Sequence, residues 1–167
     1  MPRDYSTADS VAQIAAGLIP NNHPDLATAR LLYVFVDKAG MKGGVEQLGK
    51  SKKLTGLSEW AMEKDFVLEV PLDRWNDLDP NQRTALVDHL LECCTGEEDE
   101  KTGDMKWQIR SPEVNEFASI LQRHGAWHSG LASFVEVAQG IELDEVVEQE
   151  ADIDIDALME QSTEATE

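Results

Sequence analysis

Six consecutive apolar residues, Leu31-Leu32-Tyr33-Val34-Phe35-Val36, narrow most sharply what this chain can fold into. An uninterrupted run of this kind predicts a strand covered on both faces rather than the alternating strand of a half-wet sheet. The flanking patterns predict its neighbours. Residues 9–19 place Val11, Ile14, Ala15 and Leu18 at helical intervals, and Pro20-Asn21-Asn22 is expected to break that helix. A short helical turn after Pro24 leads into the apolar strand. Gly40, Gly43 and Gly44 mark the turn that follows, and residues 45–54 read as a second strand carrying Lys50, Lys52 and Lys53. Residues 65–70 read as a third, with Phe66 and Leu68 on one face, Val67 and Glu69 on the other, and Pro71 at its end.

The best-signalled helix spans residues 80–94. Asp79 is a natural N-cap, Pro80 suits the first helical position, and Thr95-Gly96 is the expected stop. Glu97 to Glu100 then form an exposed acidic loop, and residues 105–110 a short strand. Pro112 opens a helix running to His124, with Val114, Phe117, Ile120 and Leu121 inward and Gly125 closing it. Residues 131–138 supply a last helical segment. The sum is an α+β fold, a three- to four-stranded sheet packed by two main helices, 80–94 and 112–124. Residues 1–22 are expected as an N-terminal helical extension, 24–140 as the domain, and 141–167 as an acidic tail.

Charge bears on partners. Of 33 acids, eleven lie between Glu142 and Glu167, where there is no Lys or Arg; the rest of the chain keeps 22 acids against 14 bases, a net of −8 out of −19. Direct binding to nucleic acid is not expected, because the phosphate term has the wrong sign. The tail composition predicts a solvated extension, or a segment that docks on a partner. No apolar run approaches the ~20 residues that span a bilayer, and Met1 to Ser10 does not read as a signal peptide. Cys93 and Cys94 are adjacent, so a bridge between them would be strained, and a reducing cytoplasm is the expected location.

One constellation carries chemistry. The capped helix contains Val87-Asp88-His89-Leu90-Leu91-Glu92-Cys93-Cys94. A zinc peptidase helix reads His-Glu-x-x-His: two His four apart share a metal, and the Glu is general base to the zinc-bound water. Here His89 keeps the first His position, Leu90 stands at the Glu position and Cys93 at the second His position. Glu92 cannot substitute, since it points about 160° away from Leu90 around the helix. His124 and His128, around Gly125-Ala126-Trp127, are a weaker candidate, better read as helix-end residues facing terminal carbonyls. Trp60, Trp75, Trp107 and Trp127 read as core and rim packing, and Lys50-Ser51-Lys52-Lys53 as a solvated sheet edge. Neither a Ser/His/Asp triad nor a phosphate loop is visible, since Gly40 to Gly44 lacks the Gly-Lys-Ser/Thr ending.

The order of motifs resembles the putative metallopeptidase family of bacteriophages. It comprises the apolar strand, Leu48-Gly49-Lys50, Asp65-Phe66-Val67, Trp75, Leu86-Val87-Asp88-His89, the acidic loop, Lys106-Trp107, and Val114-x-Glu116-Phe117 ending in His124-Gly125. The resemblance covers roughly residues 31–137 and implies a small zincin-like domain. It also implies a helix reading Val-Asp-His-Glu-Leu-Cys-His and a later Gly-His-Asp-Val-Glu-Glu-Phe, so Leu90, Cys93 and Pro112 depart from the pattern while Glu116 keeps it. Two readings of the remaining donors stay open. His89, Cys93 and Glu116 could hold a structural zinc ion, or His89 and the cysteines are core residues and no cofactor is bound. Exchanging Leu90 for Glu and Cys93 for His would rebuild the helix motif. The expected function is that of a catalytically inactive relative binding a host or phage protein with a basic surface, for instance as a nucleic-acid mimic. The competing reading is a residual zinc-dependent hydrolase with unorthodox ligands.

Overall fold

The computed structural model describes residues 3–112, 114–116, 118–126 and 129–151. The chain divides into two compact units, Met1–Ser111 and Pro112–Glu167. The first is α+β. Strand β1 (Tyr5–Thr7) leads into helix α1 (Asp9–Asn22), a single 3-10 turn at Pro24–Leu26, and strand β2 (Leu31–Val36). Strands β3 (Gly40–Lys42), β4 (Val45–Gln47) and β5 (Lys50–Lys53), helix α2 (Gly56–Met62) and strand β6 (Phe66–Pro71) follow. Helices α3 (Leu72–Asp77) and α4 (Pro80–Glu92) precede the hairpin of β7 (Cys94–Glu98) and β8 (Met105–Ile109).

The main sheet has the order β1-β2-β6-β5, in which β2 and β6 run parallel and both outer pairs are antiparallel. The apolar run thus becomes an inner strand, as an unbroken stretch requires. β6 is the more deeply covered of the two, with all six residues buried, whereas most of β2 is half-buried. On one face of the sheet Phe66, Leu68 and Val70 meet Val11 and Ala15 of α1 and Val87, Leu90 and Leu91 of α4 in a single core that also takes in Trp75 and Trp107. Each such side chain contributes about 1.5–3 kcal/mol by leaving water.

Residues 5–22 supply the edge strand β1 and helix α1 of the core, with Ala8, Val11 and Ala15 at most 1% exposed. Several expectations are corrected. Pro20 does not break α1. It sits in the last turn, where the ladder continues past it through Asn21 Nδ2 donating to Gly17 O (3.1 Å) and His23 N donating to Ile19 O (3.0 Å). The expected strand over residues 45–54 is two strands: β4 pairs with β3 across Gly43-Gly44, whose φ of 59° and 81° suit a tight hairpin turn, and β5 joins the main sheet as its lysine-bearing edge. The acidic loop begins later than expected, because Glu97 and Glu98 are paired in β7.

Helix α4 begins as predicted. The Asp79 side chain accepts from Gln82 N (2.9 Å) while Gln82 Oε1 accepts from Asp79 N (3.0 Å), a reciprocal cap with Pro80 in the first turn. It stops at Glu92, before Thr95-Gly96, because β8 ends against it: Arg110 Nε donates to Glu92 O (2.7 Å) and Arg110 N to Cys93 O (2.9 Å). The second unit holds helix α5 (Ala118–His124) and helix α6 (Ser129–Ala151). The helix expected from Pro112 therefore starts six residues later, and Gly125 follows it with a φ of 66°. Helix α6 carries on past residue 138 into the segment expected as a solvated tail, whose remainder, 152–167, lies outside the described residues, as do Phe117, Trp127 and His128.

Candidate functional site

The chemistry expected of α4 depends on which way its residues face. Leu90, at the position of the general base, is 2% exposed and belongs to the core. It lies beneath Gly49, where an added Cβ would stand 2.9 Å from Leu90 Cδ1 and 3.3 Å from Glu69 O. The backbone of Leu90 is held as well, its carbonyl accepting from Ser51 Oγ at 2.7 Å. The base position thus points into packed protein beneath β5 and away from any solvent-filled site.

His89, expected inward with Ala85, Leu86 and Cys93, is exposed, and so is Ala85; Leu86 and Cys93 are half-buried. The reason is helical phase. Val87, Leu90 and Leu91 take the core-facing stripe, which turns His89 outward. His89 instead lines an open groove of about 460 Å³ between α4 and the β4–β5 connection, together with Leu48, Leu78, Gln82, Ala85 and Leu86.

The other expected donors are Cys93 and Glu116. Burial pushes the Cys93 thiol above its ordinary pKa. The neighbouring Cys94 thiol is buried and pushed up to about 12, again chiefly by burial, and donates to Leu90 O at 3.6 Å. Glu116 lies in the second unit and is half-buried. Among the described residues no group of three or more His, Cys, Asp or Glu side chains is placed to hold a metal ion.

His23, Asp88 and Glu92 form a polar cluster on the other side of α4 from Leu90. His23, buried at the end of α1, points Nε2–H at Asp88 Oδ1 (2.6 Å), while its Nδ1 lies 3.4 Å from Glu92 Oε2. Asn22 Nδ2 also reaches Asp88 (3.3 Å), and Arg110 pairs with Glu92. Asp88 and Glu92 are four apart on α4 and so share a face, beside the core stripe of Val87, Leu90 and Leu91. With both ring nitrogens facing carboxylates, His23 has no free nitrogen for a ligand or a proton relay. The cluster ties α1 to α4. Its pairing is not legible in the local sequence, because His23 and Asp88 are 65 residues apart and α1 was expected to end before reaching it.

A second feature without a motif is Glu69, a carboxylate buried on β6 (7% exposed) that pairs with Lys52 Nζ (2.5 Å) and, at longer range, with Arg3 (4.0 Å). It sits in the wall of a cleft of about 380 Å³ lined also by Arg3, Lys42 and Lys50. Asp65, at the start of the same strand, is held by Arg30. Burial pushes its carboxyl up, but hydrogen bonds from the Arg30 guanidinium (2.7 Å) and backbone N–H (2.7 Å) outweigh that and bring it below the ordinary range.

Among the described residues no helix is long and apolar enough to cross a membrane. Neither the curated proteins nor the solved structures contain a match to this chain. A family model does match, over residues 3–140, which takes in β1 and α1 as well as the motif helix; the chain belongs to the family described as putative phage metallopeptidase.

Proposed function

We propose that this chain is a non-catalytic member of its family, zincin-like in plan, that acts by binding a protein partner with a basic surface inside the infected cell. The observation that carries the reading is Leu90: the residue after the motif histidine is a core leucine packed beneath Gly49. A general base contributes about 10²–10⁴ in rate, and no carboxylate on α4 can take its place. Asp88 and Glu92 are committed to His23, Asn22 and Arg110 on another face. Binding remains as the activity such a surface supports. The acidic surplus favours a basic partner through long-range attraction, and spaced carboxylates toward the C-terminus allow a specific form, mimicry of nucleic-acid phosphates that occupies a DNA-binding protein.

The test is capture of a basic protein from infected-cell lysate, followed by reconstitution with that purified partner at low and high salt. Affinity that falls with salt, and falls further when residues 142–167 are removed, is the expected result. Equal affinity with and without those acids, at both salt concentrations, would overturn the electrostatic reading.

A further inference from the structure

The groove beside His89 and the cleft beside Glu69 abut. Gln47 and Gly49, at the end of β4 and before β5, line both. Their chemistry is opposite. On the His89 side the lining is Leu48, Leu78, Ala85 and Leu86, with Gln47, Gln82 and Glu46, whose carboxylate pairs with Arg74 at 2.8 Å. On the other side Arg3, Lys42 and Lys50 surround the opening. The negative charge of Glu69 in that wall is answered by Lys52 at 2.5 Å and by Arg3 at 4.0 Å. Among the described residues no carboxylate lies within ion-pair distance of Lys42 or Lys50. Gly40 leaves room for the Arg3 guanidinium, which a Cβ at that position would approach to 3.1 Å. In a chain of net charge −19, cations gathered at one end of an apolar groove are out of keeping with the rest of the surface.

We propose that this double cleft takes the C-terminal end of a peptide. The last apolar side chains lie against Leu48, Leu78 and Leu86, and the terminal carboxylate lies among Arg3, Lys42 and Lys50. A carboxylate on cationic side chains forms charge-assisted hydrogen bonds, and an apolar floor with a few polar groups at its margin is the usual make-up of a ligand cleft. The Gln47 amide and the Nε2–H of Gln82, whose Oε1 is taken by Asp79 N–H, favour a peptide over an alkyl chain, because a backbone can pair with them and a hydrocarbon would only desolvate them. This goes beyond the absence of hydrolysis and does not depend on it, since the test reads binding alone.

The test is fluorescence anisotropy on the full chain with a labelled hexapeptide ending in Val-Leu, as the free acid and as the C-terminal amide, at low salt. The free acid should bind at least ten-fold more tightly than the amide. The double variant Lys42→Ala/Lys50→Ala should bring the acid down to the affinity of the amide while leaving the amide unchanged. Leu86→Asp should weaken both; Leu48→Asp, at a position already 44% exposed, should do the same without a risk to folding. Equal binding of acid and amide, or binding of neither, overturns the proposal. So does displacement of the acid by decanoate as effective as by unlabelled peptide, which would assign the cleft to fatty acyl chains.

Discussion

Restoring the motif glutamate is the perturbation that best separates a dormant site from a lost one. In Leu90→Glu a side chain that is 2% exposed is replaced by a carboxyl group facing Gly49 and the Glu69 carbonyl. The change forfeits about 1.5–3 kcal/mol of apolar burial and adds about 1–3 kcal/mol for a polar group left without a designed partner. A loss near 4 kcal/mol should lower the melting temperature by about 8–16 °C. The pH dependence has a definite sign. Burial raises the folded-state pKa of the new carboxyl above its unfolded value of about 4.3, so the folded form binds the extra proton, and stability falls as pH rises between the two values. The deficit relative to wild type should therefore be smaller at pH 4 than at pH 7. Thermal unfolding followed by circular dichroism at both values measures this, with Leu90→Met, expected to cost under about 1.5 kcal/mol, as the control. A Leu90→Glu protein as stable as wild type at pH 7 would refute the reasoning and show that the base position opens to solvent. The double change with Cys93→His, which rebuilds the motif on paper, meets the same obstacle.

Other outcomes follow from the same contacts. Gly96→Ala should destabilise by about 1–3 kcal/mol, since its Cβ would stand 2.3 Å from the Trp107 ring that packs across it, and urea unfolding reads the change directly. Asp65→Asn should cost about 1–2 kcal/mol at neutral pH through its weakened bonds to Arg30. Because the Asp65 carboxyl is held below its ordinary pKa, wild type loses that advantage as pH falls from about 4 through the folded value, and the two proteins should converge there. At pH 8 a thiol reagent should modify Cys94 only on unfolding, its thiol being buried and pushed up to about 12, with Cys93 reacting first.

What could be read from the residues, and what could not, divides along physical lines. The inner strand at Leu31–Val36, the β6 alternation and the start of α4 were legible because each is fixed by local chemistry: an apolar run, a period of two, an aspartate cap followed by proline. The end of α4 was not, because Arg110, eighteen residues after Glu92, sets it. The outward turn of His89 was half-legible. The residues of the core stripe, Val87, Leu90 and Leu91, stand in plain view in the sequence, but the metal motif drew the expectation that the histidine shares their side. His23 was invisible, since a single histidine after a proline-containing helix gives no sign of two carboxylates on a helix 65 residues away. The depth of Glu69 depends likewise on strands that pair only in the folded chain.

The most direct measurement of the central claim is peptide hydrolysis by the purified chain. Unstructured casein, incubated with the protein alone, with added zinc and with a chelator, is followed by mass spectrometry for new termini. The packing of Leu90 and the commitment of Asp88 and Glu92 to other partners predict intact casein in all three. Cleavage that the chelator stops, that zinc restores and that His89→Ala abolishes would contradict the account.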